Sequence, residues 1–282
     1  MTRTAPAPAS VDALEPMGTA EAEAYQRLRA HLAELRLSTA AQALTSVLDD
    51  TRTENLSLIT ALERLLAVEV QATQARRRAS LLRFACLPMP YEIGDFDFTA
   101  QPGVDEKLIR ELASLRFLDD AGNAVLVGPP GTGKTMIAVG LARAAVQAGH
   151  RVYFTTADDL AKRCKRAAAE GRWATAMRFY CGPRLLVIDE LAYARHHPDP
   201  DGNAALFEVI SRRYLKSSTI VTSHTGVASW GERLGDPMLA ASVLDRLLHR
   251  GIVVAVDGPS YRMRAHQQRT EQLRRALTTQ RP

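Results

Sequence analysis

Residues 125–135 read VLVGPPGTGKT: a β-branched apolar run stops at a glycine, crosses two prolines and two further glycines, and ends on lysine and threonine. Directly behind it comes MIAVGLARAAVQAG, apolar at helical spacing. A strand must therefore run into a glycine loop and hand over at once to a helix. Gly128, four residues, Gly133, Lys134 and Thr135 have the spacing of a phosphate loop. Glycines let successive N–H groups turn into one hollow, to which the following helix adds its positive end. In such a hollow Lys134 reaches the β and γ phosphates of ATP and the Thr135 hydroxyl ligates Mg2+. Gly128, Pro129, Pro130, Gly131, Thr132, Gly133, Lys134 and Thr135 are expected to line this site.

A second acidic element should complete it, and RLLVIDEL supplies one fifty-five residues after Lys134. A buried parallel strand would carry Asp189 and Glu190 to its carboxyl edge, where open α/β sheets bind ligands. Asp189 is expected to hold the metal through water. Glu190 is placed to polarise the water that attacks the γ phosphate, which points to hydrolysis.

The surrounding pattern predicts an α/β fold. AVLV, RVYFTT, RLLVID and STIVTS are apolar runs separated by helical stretches, the alternation of a parallel sheet covered on both faces. IVVAV, DGP and SYRMR read as a carboxy-terminal β-hairpin. Upstream, leucines predict two helices broken around Arg36 to Ser38 and a third from Ser57 to Phe84, with Leu58, Leu62, Leu65 and Leu66 on one stripe. The expected organisation is a disordered tail over 1–20, a helical domain over 21–90, a linker and helix over 91–120, the nucleotide-binding domain over 121–265 and a basic tail over 266–282.

With 46% hydrophobic and 24% charged residues, the composition is that of a soluble globular protein. The amino terminus lacks a signal-peptide pattern and runs such as GIVVAV are too short to span a bilayer, so a cytoplasmic protein without membrane contact is expected. Cys86, Cys164 and Cys181 fit neither a disulfide framework nor a zinc knuckle. Charge is uneven: residues 1–120 carry 13 Lys/Arg against 18 Asp/Glu, and residues 121–282 carry 23 against 13. A polyanion partner is sought in the basic half. There ADDLAKRCKRAAAEGRWATAMRFY places Lys162, Arg163, Lys165 and Arg166 on one helix with Arg172 and Arg178 beyond it, candidates for contacting DNA phosphates with little sequence preference. A solvated helix face is the competing explanation. His196, His197, Asp199 and Asp201 lie in a turn-rich loop that argues against a metal site.

The runs GPPGTGKT, RVYFTTADDL, LLVIDELAY, ISRRYLKSSTIVTS, SWGERLGDPMLAASVLDRLLHR and SYRMR, with DFDFTAQPGVDEKLIRELASLRF upstream, closely resemble the IstB-like ATP-binding helpers of insertion-sequence transposition. These are AAA+ ATPases related to DnaC-type helicase loaders and DnaA-type initiators. The resemblance implies an ATP-dependent homo-oligomer on duplex DNA that passes a target site to a transposase. It matches Asp189 and Glu190 to the family's metal and catalytic acids. His224 falls where the family typically senses the γ phosphate with asparagine, and Arg246 where an arginine reaches a neighbouring subunit's nucleotide. A helicase loader, or an ATP-gated scaffold without hydrolysis, would share most of these residues.

Overall fold

The computed structural model describes residues 19–191, 200–234, 236–263 and 269–271. The amino-terminal tail up to residue 18, the loop with His196, His197 and Asp199, and nearly all of the basic carboxy-terminal tail lie outside them. Two compact units are present, residues 1–76 and 77–282.

The first unit is helical, with α1 over Thr19–Glu34, α2 over Ser38–Thr53 and the start of α3, which spans Leu58–Ala85. Between α1 and α2 the chain reverses at Arg36, whose φ is 61°. Leu32, Ala40, Ala41, Leu44, Val47, Ala61 and Leu65 form its core. The buried stripe of α3 is Ala61, Leu65 and Glu69, at four-residue steps, and not the leucine stripe the sequence suggests: Leu58, Leu62 and Leu66 are exposed. Small Ala61 permits close packing, and Glu69 is drawn inward by the main chain of α2, with Thr39 N and Ala40 N donating to its carboxylate at 2.7 and 2.9 Å.

The second unit is a five-stranded parallel sheet between helices. After α4 (Glu106–Ala113) come β1 (Asn123–Val127), α5 (Lys134–Gln147), β2 (Val152–Thr156), α6 (Ala157–Ala169), α7 (Trp173–Cys181), β3 (Leu185–Leu191), α8 (Pro200–Arg213), β4 (Ser218–Ser223), α9 (Trp230–Leu234), α10 (Pro237–Leu248) and β5 (Gly251–Ala255). Spatially the order is β2-β3-β4-β1-β5. Side chains alternate across it. Ala124 and Leu126 join Ile137, Leu141 and Ala145 of α5 in one core layer. Val125 joins Val209 of α8 with Val243 and Leu247 of α10 in the other. Burial on both faces explains why these strands read as unbroken apolar runs.

Among the described residues the expected carboxy-terminal hairpin is not formed. β5 pairs with β1 in parallel, from Asn123↔Gly251 to Val127↔Ala255, and Tyr261–Met263 are helical. Proline 259 has no N–H to give a ladder, and the segment's other groups are used elsewhere: Val256 N donates to Val127 O at 2.7 Å, Tyr261 N to Gly131 O at 2.9 Å, and Pro259 O accepts from Gln101 Nε2 at 2.7 Å. Residues 256–261 are thus a strap across the phosphate loop. Among the described residues no helix is long and apolar enough to cross a membrane.

Candidate nucleotide-binding site

The loop between β1 and α5 is built from close approaches that only glycine permits. Gly133 has φ 100°, and a Cβ there would stand 2.5 Å from Phe96 Cε2. Gly128, at φ 154°, lies against Val256 O, and its N–H donates to Ser223 O of β4 at 3.2 Å. Lys134 opens α5 and is 3% exposed. Its ammonium donates to Pro129 O at 2.6 Å, inside the loop's own curl. Burial lowers its pKa from 10.5 to about 8, against the opposing pull of Asp189. A buried positive charge thus sits inside the loop.

The acid pair meets the loop through two threonines. The Thr135 hydroxyl stands 3.1 Å from both carboxylate oxygens of Asp189. Thr222, one strand over on β4, donates its hydroxyl to Asp189 and accepts from Glu190 N at 3.0 Å. At this point β3 is irregular: its pairing with β4 slips between Ile188 and Leu191, and Glu190 has φ 59°. A bulge with a strained non-glycine residue turns a side chain out of strand alternation. The result is a buried Asp189 beside an exposed Glu190. His224 Nε2 is 3.8 Å from Glu190 Oε1. Burial, with Lys134 beside it, lowers the His224 pKa below its ordinary value and favours neutral imidazole at neutral pH. Fully buried Trp230 holds the turn after β4, its indole N–H donating to Ser223 Oγ at 3.2 Å and Thr225 O at 3.3 Å.

Beside Thr132 and Gly133 a cavity of about 410 Å³ is lined by Tyr91, Phe96, Asp97, Gln101, Met136 and Tyr261. Gln101 is buried, and its Oε1 has no hydrogen-bond partner among the described residues. The sequence expectation places a linker and helix over 91–120 and assigns no role to Thr222 or Trp230. The clustered acidic and aromatic residues of IGDFDF were the only local hint, since nothing in the sequence brings Phe96 to Gly133 or Tyr261 to Gly131.

The remaining predicted residues are not at this site. Asn123 Nδ2 donates to Leu247 O at 3.1 Å, so the end of α10 that carries Arg246 sits at the amino edge of β1. From Asn123 to Gly128 the strand climbs about 16 Å at ~3.3 Å per residue, which keeps Arg246 away from its own chain's loop. Its guanidinium donates to Ser242 O at 2.9 Å and lies 4.9 Å from the centre of the Phe207 ring. On α6, Leu160, Ala161 and Cys164 face the core while Lys162, Arg163, Lys165 and Arg166 face outward. Lys162 pairs with Asp158 at 2.6 Å, Arg163 donates to Tyr153 Oη at 2.7 Å, and Arg172 pairs with Glu170. Arg163, Arg166 and Arg172 share one hollow, whereas Arg178 opens into another.

The site fits a nucleoside triphosphate with Mg2+. A glycine cradle, a buried lysine and an orphaned buried acceptor await a ligand, and Thr135 with Asp189 offers the hard oxygens that Mg2+ takes. Sheet order, loop and acid pair together define a P-loop nucleotide-binding protein of the AAA+ type. The chain belongs to the IstB-like ATP binding protein family, whose description matches residues 30–269. It is 40% identical over 239 residues to a protein of insertion sequence IS5376 from Geobacillus stearothermophilus, named for ATP binding, covering 85% of this chain and 94% of that one. A similarly named protein of IS232 from Bacillus thuringiensis subsp. berliner is 36% identical over 242 residues, covering 86% and 96%. Among solved structures, the DnaC helicase loader aligns with a TM-score of 0.45 at 24% identity, over 53% of this chain and 86% of that one.

Proposed function

We propose that this protein is an ATP-hydrolysing helper of transposition that binds ATP with Mg2+, gathers copies of itself on duplex DNA and delivers that DNA to a transposase. The observation that carries hydrolysis is the linked set Thr135, Asp189, Thr222 and Glu190. It joins the phosphate loop, the metal-binding oxygens and an exposed carboxylate through contacts of about hydrogen-bond length. Bound Mg2+, held by Thr135 and Asp189, would offset the phosphate charge. Lys134 would leave Pro129 O for the β and γ phosphates. Glu190 accepts a proton from water while the water oxygen bonds to the γ phosphorus and the bond to the bridging oxygen breaks, releasing ADP and phosphate. Neutral His224 donates one hydrogen bond at the γ position. The cavity beside Gly133 would take the base, with Gln101 Oε1 as an acceptor for an exocyclic amine. Arg246 would serve a neighbouring copy's nucleotide, and the cations of α6 would meet DNA phosphates. The insertion-sequence context of the relatives supports the transposase as partner.

Phosphate release, measured with and without duplex DNA, tests this reading. The unaltered protein should turn over and be stimulated by DNA. Glu190→Gln should keep ATP affinity and lose roughly 10²-fold or more in turnover. Tight ATP binding without turnover in the unaltered protein would leave an ATP-gated scaffold; full turnover in the variant would take the base role from Glu190.

A further inference from the structure

The amino-terminal ends of the strands lie at the sheet edge remote from the phosphate loop, and there the chain gathers cations. A cavity of about 610 Å³ is lined by Arg151 before β2, Arg184 before β3, Lys216 before β4, Arg178 on α7 and Arg212 on α8. Among the described residues no Asp or Glu lines it. Arg151 is seated over the Phe84 ring at 4.0 Å, and Arg184 donates to Leu118 O, so two of the five are fixed in place. Arg212 pairs with Glu208 along its own helix at 2.6 Å. Behind the wall lies Arg213, 1% exposed, donating to Tyr180 O at 2.9 Å, Pro183 O at 3.0 Å and Thr219 Oγ1 at 3.1 Å. Burial lowers its pKa to about 10, which still leaves it charged at neutral pH. A buried cation held by main-chain carbonyls adds fixed positive potential to the hollow.

On the other flank of α7 lies the hollow of Arg163, Arg166 and Arg172, which likewise has no acidic lining residue among the described residues. The two hollows lie on opposite flanks of α7, and a helix with its side chains is about 10–12 Å across, about three phosphates of one DNA strand at ~3.4 Å of rise. We propose that the cavity of Arg151, Arg178, Arg184, Arg212 and Lys216 is a second contact for the sugar-phosphate backbone of duplex DNA, so that the DNA path crosses α7 and reaches the sheet edge remote from ATP. This rests on the DNA binding proposed above. Two acid-free hollows flanking one short helix favour a long, regularly charged partner over an acidic peptide, which would fill one of them.

The experiment titrates a short fluorescent duplex of arbitrary sequence against salt, with cooperative thermal unfolding as the check on folding. Arg178→Ala with Lys216→Ala should weaken binding to any sequence and flatten the plot of log affinity against log salt by about two, near ~0.9 per lost contact. Arg163→Ala with Arg166→Ala should flatten it through the first hollow. In the unaltered protein, duplex should protect Lys216 from acetylation relative to exposed Lys107 on α4, a result that needs no variant to fold. An unchanged slope in the Arg178 and Lys216 variant, or Lys216 modified equally with and without duplex, overturns the second contact even if the α6 variant loses affinity. Loss of oligoglutamate binding with an unchanged duplex slope would assign the hollow to an acidic peptide and also overturn it. No duplex binding by the unaltered protein at low salt would sink the DNA reading and this contact together.

Discussion

Lys134 is a cation buried at a cost inside the curl of its loop. Its folded pKa of about 8 lies below the 10.5 of a free lysine. Between those values the unfolded chain binds more protons than the fold, so this group makes stability rise with pH from about 8 to 10.5. Phosphate oxygens favour the ammonium and should lift that pKa again. ATP binding is therefore expected to take up protons above pH 8, read by calorimetry in two buffers of different ionisation enthalpy. Binding with no proton uptake there would mean that Lys134 is not the phosphate contact. Lys134→Met removes a buried charge with little change of shape. It should leave the ligand-free unfolding midpoint at pH 7 no lower than that of the unaltered protein. ATP affinity should fall by about 2–5 kcal/mol, as for any buried charge pair that loses one partner. Retained affinity would move the site.

At the scale of elements, the cap of α2 comes from a different helix. Its own cap position, Leu37, contributes no side-chain hydrogen bond, and Glu69 of α3 accepts from the first N–H groups instead while also pairing with Arg76 at 2.7 Å. These contacts, the Ala40 N–H foremost, lower the Glu69 pKa from 4.5 to about 2. The stability it gives is full above pH 4.5 and is lost as pH falls toward 2. Glu69→Gln should speed amide exchange at Thr39 and Ala40 at neutral pH while leaving exchange in the sheet unchanged; equal exchange in both proteins would deny the cap any role. The sequence could show this region's helices but not its packing, because Ala61 and Glu69 are a small and a charged residue at positions where periodicity looks for leucine. The phosphate loop and acid pair were legible because their chemistry fixes a local spacing. The strap over the loop reads in sequence as a hairpin, since an Asp-Gly pair after an apolar run signals a turn wherever its donors end up. Phe96, Gln101 and Tyr261 converge on the cavity beside Gly133 only through the fold, and no local pattern records that.

For the whole molecule the decisive question is whether one chain holds a complete site. Arg246 stands at the opposite edge of the sheet from its own phosphate loop, resting on Ser242 O and the Phe207 ring. If it supplies charge to a neighbour's transferred phosphoryl group, turnover per chain should climb with protein concentration and with DNA that gathers copies. Arg246→Ala should then bind ATP normally and lose roughly 10³-fold or more in DNA-stimulated turnover. Mixing it with Glu190→Gln is the sharper measurement. An interface that pairs Arg246 of one variant with Glu190 of the other rebuilds a working site from two inactive proteins, so phosphate release should partly recover in the mixture. Two variants that are each inactive, form mixed assemblies and still release no phosphate would show that Arg246 does not act across the interface.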